Sequence, residues 1–395
     1  MDHGRAVADG PARADDAFGG SLYRVLAEGA ASGSNVVFSP ASIAAALQMA
    51  LLGARGETAS ELARALHLAG PEEAAVGLRL LGNVLRGSLD RAATAGREDF
   101  AFRTPNTMWV QSGLPLEPGF LDRIADAAAA AVHDADFAHE SGKARDEINR
   151  VIAGQTAGKI PDLLRPGVLG SDTRLVLANA IYLKAAWAQT FPAGATDEMP
   201  FHLTPGSGSA ETVPVPMMHL TTDLGYSRAD GYQAVLLPYA GVGLVMTVVL
   251  PDGPLEPVRD RLTAGGVGAL LGGVKSARVR LSMPRFRITA QYALEPALQR
   301  LGVAHAFDPA RADFTGITTT DRLHVGHVLH KAYIDVDENG TEAAAATAAV
   351  MMRIAAVRPA QPVTVTVDRP FLFAIIDTAT GLPFFLGQVT DPAAG

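Results

Sequence analysis

The spacing of apolar residues divides the chain into a helical part and a later strand-rich part. In residues 18–30 the apolar positions recur at helical spacing, and Ser42 is predicted to cap a long alanine-rich helix that begins at Ile43. Residues 58–61, Thr-Ala-Ser-Glu, fit the capping-box pattern and predict the start of another helix. Helical patterns dominate up to about Leu164.

Short apolar runs of strand length dominate the rest of the chain. A short strand is predicted within residues 35–40, before a proline, and the later strands are predicted at residues 175–183, 234–238, 244–250, 277–283, 363–367 and 371–376. Helices first and strands later, without regular alternation, favour an α+β fold. Since no linker separates two composition regimes, we predict one domain over residues 17–395, preceded by a flexible polar tail at residues 1–16.

Composition and charge exclude several classes of protein. Apolar residues make up 48% and charged residues 19% of the chain, which excludes intrinsic disorder. The net charge is −8 and the cations are scattered, so neither a nucleic-acid partner nor a membrane surface is expected. The chain contains 0 cysteines, and its first residues lack the apolar core of a signal peptide. The missing signal-peptide core predicts a cytoplasmic protein, and an extracellular location is left open.

Motifs for catalysis, cofactors and metals are missing from the sequence. There is no Gly-x-Ser-x-Gly elbow, no Walker loop and no His-Glu-x-x-His. His324, His327 and His330 are spaced three apart, but their surroundings are β-branched and extended. On a strand the first and last would lie about 20 Å apart on one face and His327 on the other, so one ion cannot bind all three. We predict no catalytic group, no cofactor and no metal site.

Residues 337–362 form the most informative segment. Alanine and glutamate favour a helix here, yet the apolar residues show no 3.6-residue period and the segment ends in a proline-bearing, extended tail. At period two, Thr341, Ala343, Ala345, Thr347, Ala349 and Met351 share one face, and all but the last are small. Gly340 provides a permissive backbone just before them. A segment that is compatible with both a loop and a strand is a candidate conformational switch.

The sequence of this segment, ENGTEAAAAT at residues 338–347, resembles the hinge of an inhibitory serpin. Further motifs in the family's order extend the resemblance over nearly the whole chain, and the chain is similar to prokaryotic members. They are NVVFSPASI (35–43), Asn149 with TAGKI (156–160), LANAIYLK (177–184) with Trp187 and Phe191, VPMM (215–218), LLPY (236–239), RPFLF (369–373) and GQV (387–389).

The resemblance implies a fold and a function. The expected fold is a single α+β domain with helices packed around three β-sheets and an exposed reactive-centre loop at about residues 339–362. The expected function is inhibition of a serine protease as a suicide substrate, in which the cleaved loop inserts into the main sheet while the protease remains attached as an acyl-enzyme. The implied partner is the target protease, bound covalently by a monomer. A non-inhibitory serpin, acting as a chaperone or carrier, is the alternative.

The resemblance also assigns site residues. The hinge comprises Glu338, Gly340, Thr341, Glu342, Ala343, Ala344, Ala345, Ala346 and Thr347. Ser39, Ser42, Asn179 and His330 match the shutter, the polar cluster beneath the strands that must part. Trp187, Arg285 and Glu338 match the breach, where the loop first enters the sheet.

The scissile bond is predicted from its distance to the hinge. Family members usually cut after the residue sixteen positions beyond the hinge glutamate, which places the reactive bond at Ile354–Ala355 and favours an elastase-like or subtilisin-like target. A register one residue shorter gives Arg353–Ile354 and a trypsin-like target. Both registers stay open at this point.

Overall fold

The computed structural model describes residues 10–31, 33–126, 131–203, 211–342 and 361–394. Within them the α-helices are α1 (Gly10–Gly29), α2 (Pro40–Gly53), α3 (Gly56–Ala65), α4 (Pro71–Thr94), α5 (Pro118–Ala125), α6 (Phe137–Gln155), α7 (Glu256–Gly265) and α8 (Glu295–Arg300). The strands up to the middle of the chain are β1 (Val36–Phe38), β2 (Ala101–Arg103), β3 (Asn106–Gln111), β4 (Ala131–Ala135), β5 (Leu175–Ala186), β6 (Asp197–His202), β7 (Thr212–Ala229) and β8 (Tyr232–Pro238). The later strands are β9 (Leu244–Pro251), β10 (Lys275–Pro284), β11 (Phe286–Ala293), β12 (His327–Val336), β13 (Gly340–Thr341), β14 (Val363–Thr366), β15 (Phe371–Asp377) and β16 (Pro383–Val389).

This arrangement confirms the α+β class. Each strand predicted from an apolar run is present, with bounds that differ by at most a few residues from the prediction. The sequence missed β2, β3 and β4, which interrupt the part of the chain that it assigned to helices, and it also missed β6, β7, β11 and β16 in the later part. Among the residues described, no helix is long and apolar enough to cross a membrane.

A seven-stranded sheet, in the order β11-β12-β13-β5-β3-β4 with β2 also paired to β5, forms the centre of the molecule. Its strand β5 is buried on both faces, which explains its nearly continuous apolar run. Alternate residues such as Val176 and Ala178 pack with α6 in a smaller core, while Leu177 and Ile181 belong to the main core on the other face. The sheet therefore has an α6 face and a main-core face.

The other strands form a nine-stranded network in the order β1-β16-β15-β9-β8-β7-β10-β14, with β6 paired to β7. The 18-residue strand β7 pairs with β6 along its first part and with β8 along its last part. The resemblance implies three sheets. Because β7 is continuous, the strands outside the central sheet form one hydrogen-bonded network instead of two separate sheets.

Helix α2 lies in the main core, and all of its residues are buried. An alanine-rich helix that is apolar on every side is suited to this position. The sequence predicted the helix but placed its cap wrongly. Ser39 is the cap and accepts a hydrogen bond of 3.2 Å from the Ser42 amide, because Pro40 is favourable at the first helical position.

Two other boundaries differ from the prediction. Helix α1 begins at Gly10, so residues 10–16 belong to a helix rather than to a tail; Asp15 is buried there and accepts a hydrogen bond from Gln48. The capping box at residues 58–61 is not formed, because α3 begins at Gly56. Glu61 instead accepts hydrogen bonds from the amides of residues 304 and 305, a tertiary contact that outweighs the local motif.

Candidate functional site

The candidate site is the space between β5 and β12, which we call the central gap. At its lower end the two strands are paired directly and in parallel, from Val176 with His327 to Ile181 with Ala332. At its upper end the two-residue strand β13 lies between them and pairs antiparallel with both. Part of the chain after β12 therefore already occupies the upper end of the gap.

Gly340 and Thr341, which form β13, are buried, whereas the sequence predicted that the exposed loop begins at residue 339. Gly340 pairs with Ala186 and has a φ of +156°, and a Cβ atom added to it would lie 2.0 Å from the Ala185 carbonyl oxygen. Only glycine fits this close approach of two backbones.

Thr341 is bound on the main-core face of the sheet. Its hydroxyl lies 2.6 Å from the hydroxyl of Tyr239, and the Tyr239 ring stacks on Trp187 at 4.6 Å between centroids. Burial raises the pKa of Tyr239, so its phenol stays protonated and able to share this hydrogen bond. The sequence singled out Trp187 and Thr341 but missed Tyr239, whose position depends on the nine-stranded network.

The predicted breach residues come together at the same end of the gap. Trp187 donates from its indole nitrogen to the Asp337 carbonyl at 2.9 Å and from its amide to the Asn339 carbonyl at 2.8 Å. Arg285 pairs with Glu338 through Nε at 2.8 Å and Nη2 at 2.5 Å. The chain between β12 and β13 is thus held at several points.

Glu338 is buried and carries a stabilised charge. Burial raises its pKa, but hydrogen bonds from Arg285 and Thr196 lower it by more, and the net shift is downward. The Thr196 contribution was missed, because nothing in the sequence pattern indicates that residue 196 approaches the hinge.

The four predicted shutter residues are fully buried and lie together at the lower end of the gap. Asn179 on β5 is directly paired with His330 on β12, and their side chains are hydrogen-bonded. Ser39 joins the cluster by donating its amide hydrogen to His330 Nε2 at 3.0 Å. Ser42 contributes through its amide, while its Oγ has no partner among the described residues.

These hydrogen bonds define the protonation state of His330. Because Nε2 accepts from the Ser39 amide and Nδ1 donates to the Asn179 side-chain oxygen, both bonds require the neutral ring. Burial lowers the pKa of His330 to about 3. Its ring is stacked with that of Tyr292 on β11, another neighbour that the sequence did not identify.

The other two histidines have separate surroundings. β12 begins at His327, so His324 precedes the strand. His327 Nδ1 lies 3.1 Å from a carboxylate oxygen of Glu295. Within the described ranges, no group of His, Asp and Glu side chains is arranged to hold a metal ion.

The remaining predicted site residues lie outside the described residues. These are the hinge residues Ala343, Ala344, Ala345, Ala346 and Thr347, and the reactive-bond candidates Arg353, Ile354 and Ala355.

A central sheet with a hinge segment between two of its strands and a buried polar cluster below it defines the serpin class. A model of the family described as serpin (serine protease inhibitor) matches residues 13–392, and the chain belongs to this family. The family is described by protease inhibition and not by a catalytic activity of its own.

Named relatives and a solved structure agree with this assignment. A serpin-like protein of Thermococcus kodakarensis is 38% identical over 376 residues, covering 95% of this chain and 84% of the relative. The human leukocyte elastase inhibitor is 31% identical and covers 96% of this chain and 98% of its own length. The crystal structure of Serpin48 from Tenebrio molitor has a TM-score of 0.81 at 29% identity, covering 96% of this chain and 97% of that one.

Proposed function

We propose that this serpin inhibits a serine protease as a suicide substrate, acting as a monomer. The observation that carries the proposal is the position of β13 in the central gap. Because Gly340 and Thr341 already pair with β5 and β12, the chain that follows them can continue as a strand along the same path. Alanine at positions 343–346 would require little space in a crowded sheet.

The chemistry is supplied by the protease. Its serine hydroxyl attacks the carbonyl carbon of the residue before the scissile bond, the new amino terminus leaves with a proton, and an acyl-enzyme ester remains. Insertion of the loop then moves the attached protease and distorts its active site before water hydrolyses the ester. The inhibitor contributes the free energy of adding a strand.

The proposed reactive bond is Ile354–Ala355, with Arg353–Ile354 as the alternative. The relatives named leukocyte elastase inhibitor support an elastase-like target, for which an apolar residue followed by a small one is suitable. Intact-mass analysis of the released carboxyl-terminal peptide distinguishes the two registers. A peptide that starts at Ala355 supports the first register, and one that starts at Ile354 supports the second.

Incubation with an elastase-like and a trypsin-like protease, followed by a denaturing gel, tests the function. A band at the summed mass of inhibitor and protease indicates the covalent complex. Thr341→Arg is the informative variant, because it places an unpaired charge next to Tyr239 in a buried site and should convert the inhibitor into a substrate. Cleavage of the unaltered protein without any complex would overturn the proposal and favour a non-inhibitory serpin.

A further inference from the structure

Two residues with strained backbone, Ala157 and Glu342, lie at or next to the two members of one ion pair. Among the described residues, the non-glycine residues with positive φ are His67, Ala157 and Glu342. Glu342 directly follows β13, and Ala157 lies in the turn that holds Lys159. The side chains of Lys159 and Glu342 form an ion pair. Strained backbone persists only where neighbouring contacts maintain it.

Lys159 is presented by a well-defined turn at the end of α6. The Gly158 amide donates to the Ala153 carbonyl at 2.9 Å, and the Lys159 amide donates to the Thr156 carbonyl at 3.0 Å. The Lys159 ammonium lies 5.5 Å from the centroid of the Tyr333 ring on β12. These contacts place its charge above the α6 face of the sheet, next to the central gap.

Glu342 is held in a bent conformation by contacts on three sides. Its amide donates to the Asp335 carbonyl at 2.8 Å, so pairing with β12 extends one residue beyond β13. Its carboxylate pairs with Lys159 and lies close enough to Tyr182 on β5 to help raise the pKa of that phenol. Oε2 is buried without a partner among the described residues, so Lys159 provides the main compensation for the charge.

We propose that Lys159 is a positioning residue that retains the hinge at Glu342, so that the turn after α6 controls how deeply the hinge enters the central gap. The ion pair stabilises the bend at Glu342, and the bend prevents β13 from extending. Its role in inhibition rests on the proposed function, but the restraint itself can be measured without a protease.

Loss of the Lys159 side chain is expected to shift the backbone of Glu342 towards an extended conformation. The Gly340 and Thr341 contacts do not involve Lys159 and remain in place. Without the ion pair, the positive φ of Glu342 is no longer compensated, and the residue relaxes towards the extended conformation that non-glycine residues prefer. An extended residue 342 continues β13 into the gap.

Lys159→Met is therefore expected to accelerate conversion of the uncleaved protein to a loop-inserted form. Conversion is followed at elevated temperature by native electrophoresis and by the appearance of a species with a higher Tm, with size-exclusion chromatography to verify that it is monomeric. We expect about a tenfold faster conversion, a change that corresponds to loss of about 1.4 kcal/mol from one charge-assisted hydrogen bond. Lys159→Arg should restore the slow rate.

Lys143→Met is the matched control, because Lys143 lies on α6 and also pairs with a glutamate, Glu140, but both side chains of that pair are exposed. It should leave the conversion rate unchanged. A double variant, Lys159→Met with Glu342→Gln, should convert no faster than the single Lys159 variant if both act through one contact.

Unchanged or slower conversion of the Lys159→Met protein, with its fold intact by circular dichroism, would overturn the proposal. Slower conversion would mean that the ion pair belongs to the inserted state. Because no protease is used, this result is separate from the proposed function: a protein that forms no covalent complex can still show or lack the Lys159 effect.

Discussion

The two ends of the central gap differ in what fills them. The upper end contains a piece of the chain itself: β13 pairs with both neighbouring strands, and Trp187, Arg285 and Tyr239 hold the adjacent backbone and side chains. The lower end contains nothing between β5 and β12, which pair directly, and a neutral, fully buried His330 links them to Asn179 and the start of α2. One end accepts a strand and the other excludes it.

Under the proposed mechanism, this difference indicates where the barrier to loop insertion would lie. Extending β13 downward requires the six parallel residue pairs from His327 to Ala332 to separate, together with the His330–Asn179 hydrogen bond. Each broken pair is replaced only when the incoming strand supplies new partners. In the proposed mechanism, the upper end would stabilise a strand that has begun to insert, and the lower end would delay its completion.

The largest expected effect is on thermal stability after loop cleavage. If the lower end opens to accept a full strand, the cleaved protein gains pairing along the whole gap, and its Tm should rise far more than the roughly 2–4 °C that 1 kcal/mol produces in a domain. Calorimetry of intact and loop-cleaved protein measures the difference. Equal Tm values would show that no strand is added between β5 and β12 after cleavage.

The next largest effect is expected from a variant that prevents β13 from forming at the upper end. Gly340→Val places side-chain atoms against the Ala185 carbonyl, which a Cβ would approach to 2.0 Å, and should prevent β13 from forming. We expect the yield of covalent complex with the target protease to fall at least about tenfold while loop cleavage persists, consistent with about 1–3 kcal/mol for overpacking. Gly253→Val is the control, since a Cβ there meets nothing within 4 Å. An unchanged yield would mean that insertion does not begin at Gly340.

The lower end should respond to pH. The His330 pKa is lowered from 6.5 to about 3 in the folded protein, so between these values the unfolded state takes up a proton that the native state does not. The free energy of unfolding should therefore fall as pH decreases below 6.5, by up to about 1.4 kcal/mol per pH unit from this residue. Urea titrations between pH 4.5 and 7 measure it. His330→Gln should be less stable at pH 7 but show a flatter pH dependence, whereas identical slopes in both proteins would contradict the assignment.

The smallest effect is expected at the breach. Arg285→Gln removes one partner of the buried Glu338, but the arginine is 45% exposed and Thr196 still donates to the carboxylate, so a loss of about 1 kcal/mol is expected at pH 7. Because the pKa of Glu338 is lowered by folding, this stability is present above the ordinary carboxylate value and disappears as pH falls through the folded pKa. Arg287→Gln, which breaks a more exposed pair, should change stability by less than about 0.5 kcal/mol in the same chemical denaturation. Equal losses in the two variants would remove any special role for the upper end.

The sequence alone determined the features that depend on local pattern and on ordered motifs. The apolar run of β5 and the alanine-rich α2 are visible because burial on every side removes polar residues from them. The serpin resemblance also placed Asn179 with His330 and Arg285 with Glu338, and both pairs are in contact.

Tertiary structure decided the rest. Ser39 rather than Ser42 caps α2, and Glu61 binds the amides near residue 304, because long-range contacts compete with local capping rules. The docking of Gly340 and Thr341 depends on Tyr239, and the bend at Glu342 depends on Lys159, residues about 100 and 180 positions away. A periodicity within one segment reports which face of that segment is apolar; it contains no information about which distant side chain will meet it. Only the packing of α6 and the nine-stranded network against the central sheet brings those partners to the gap.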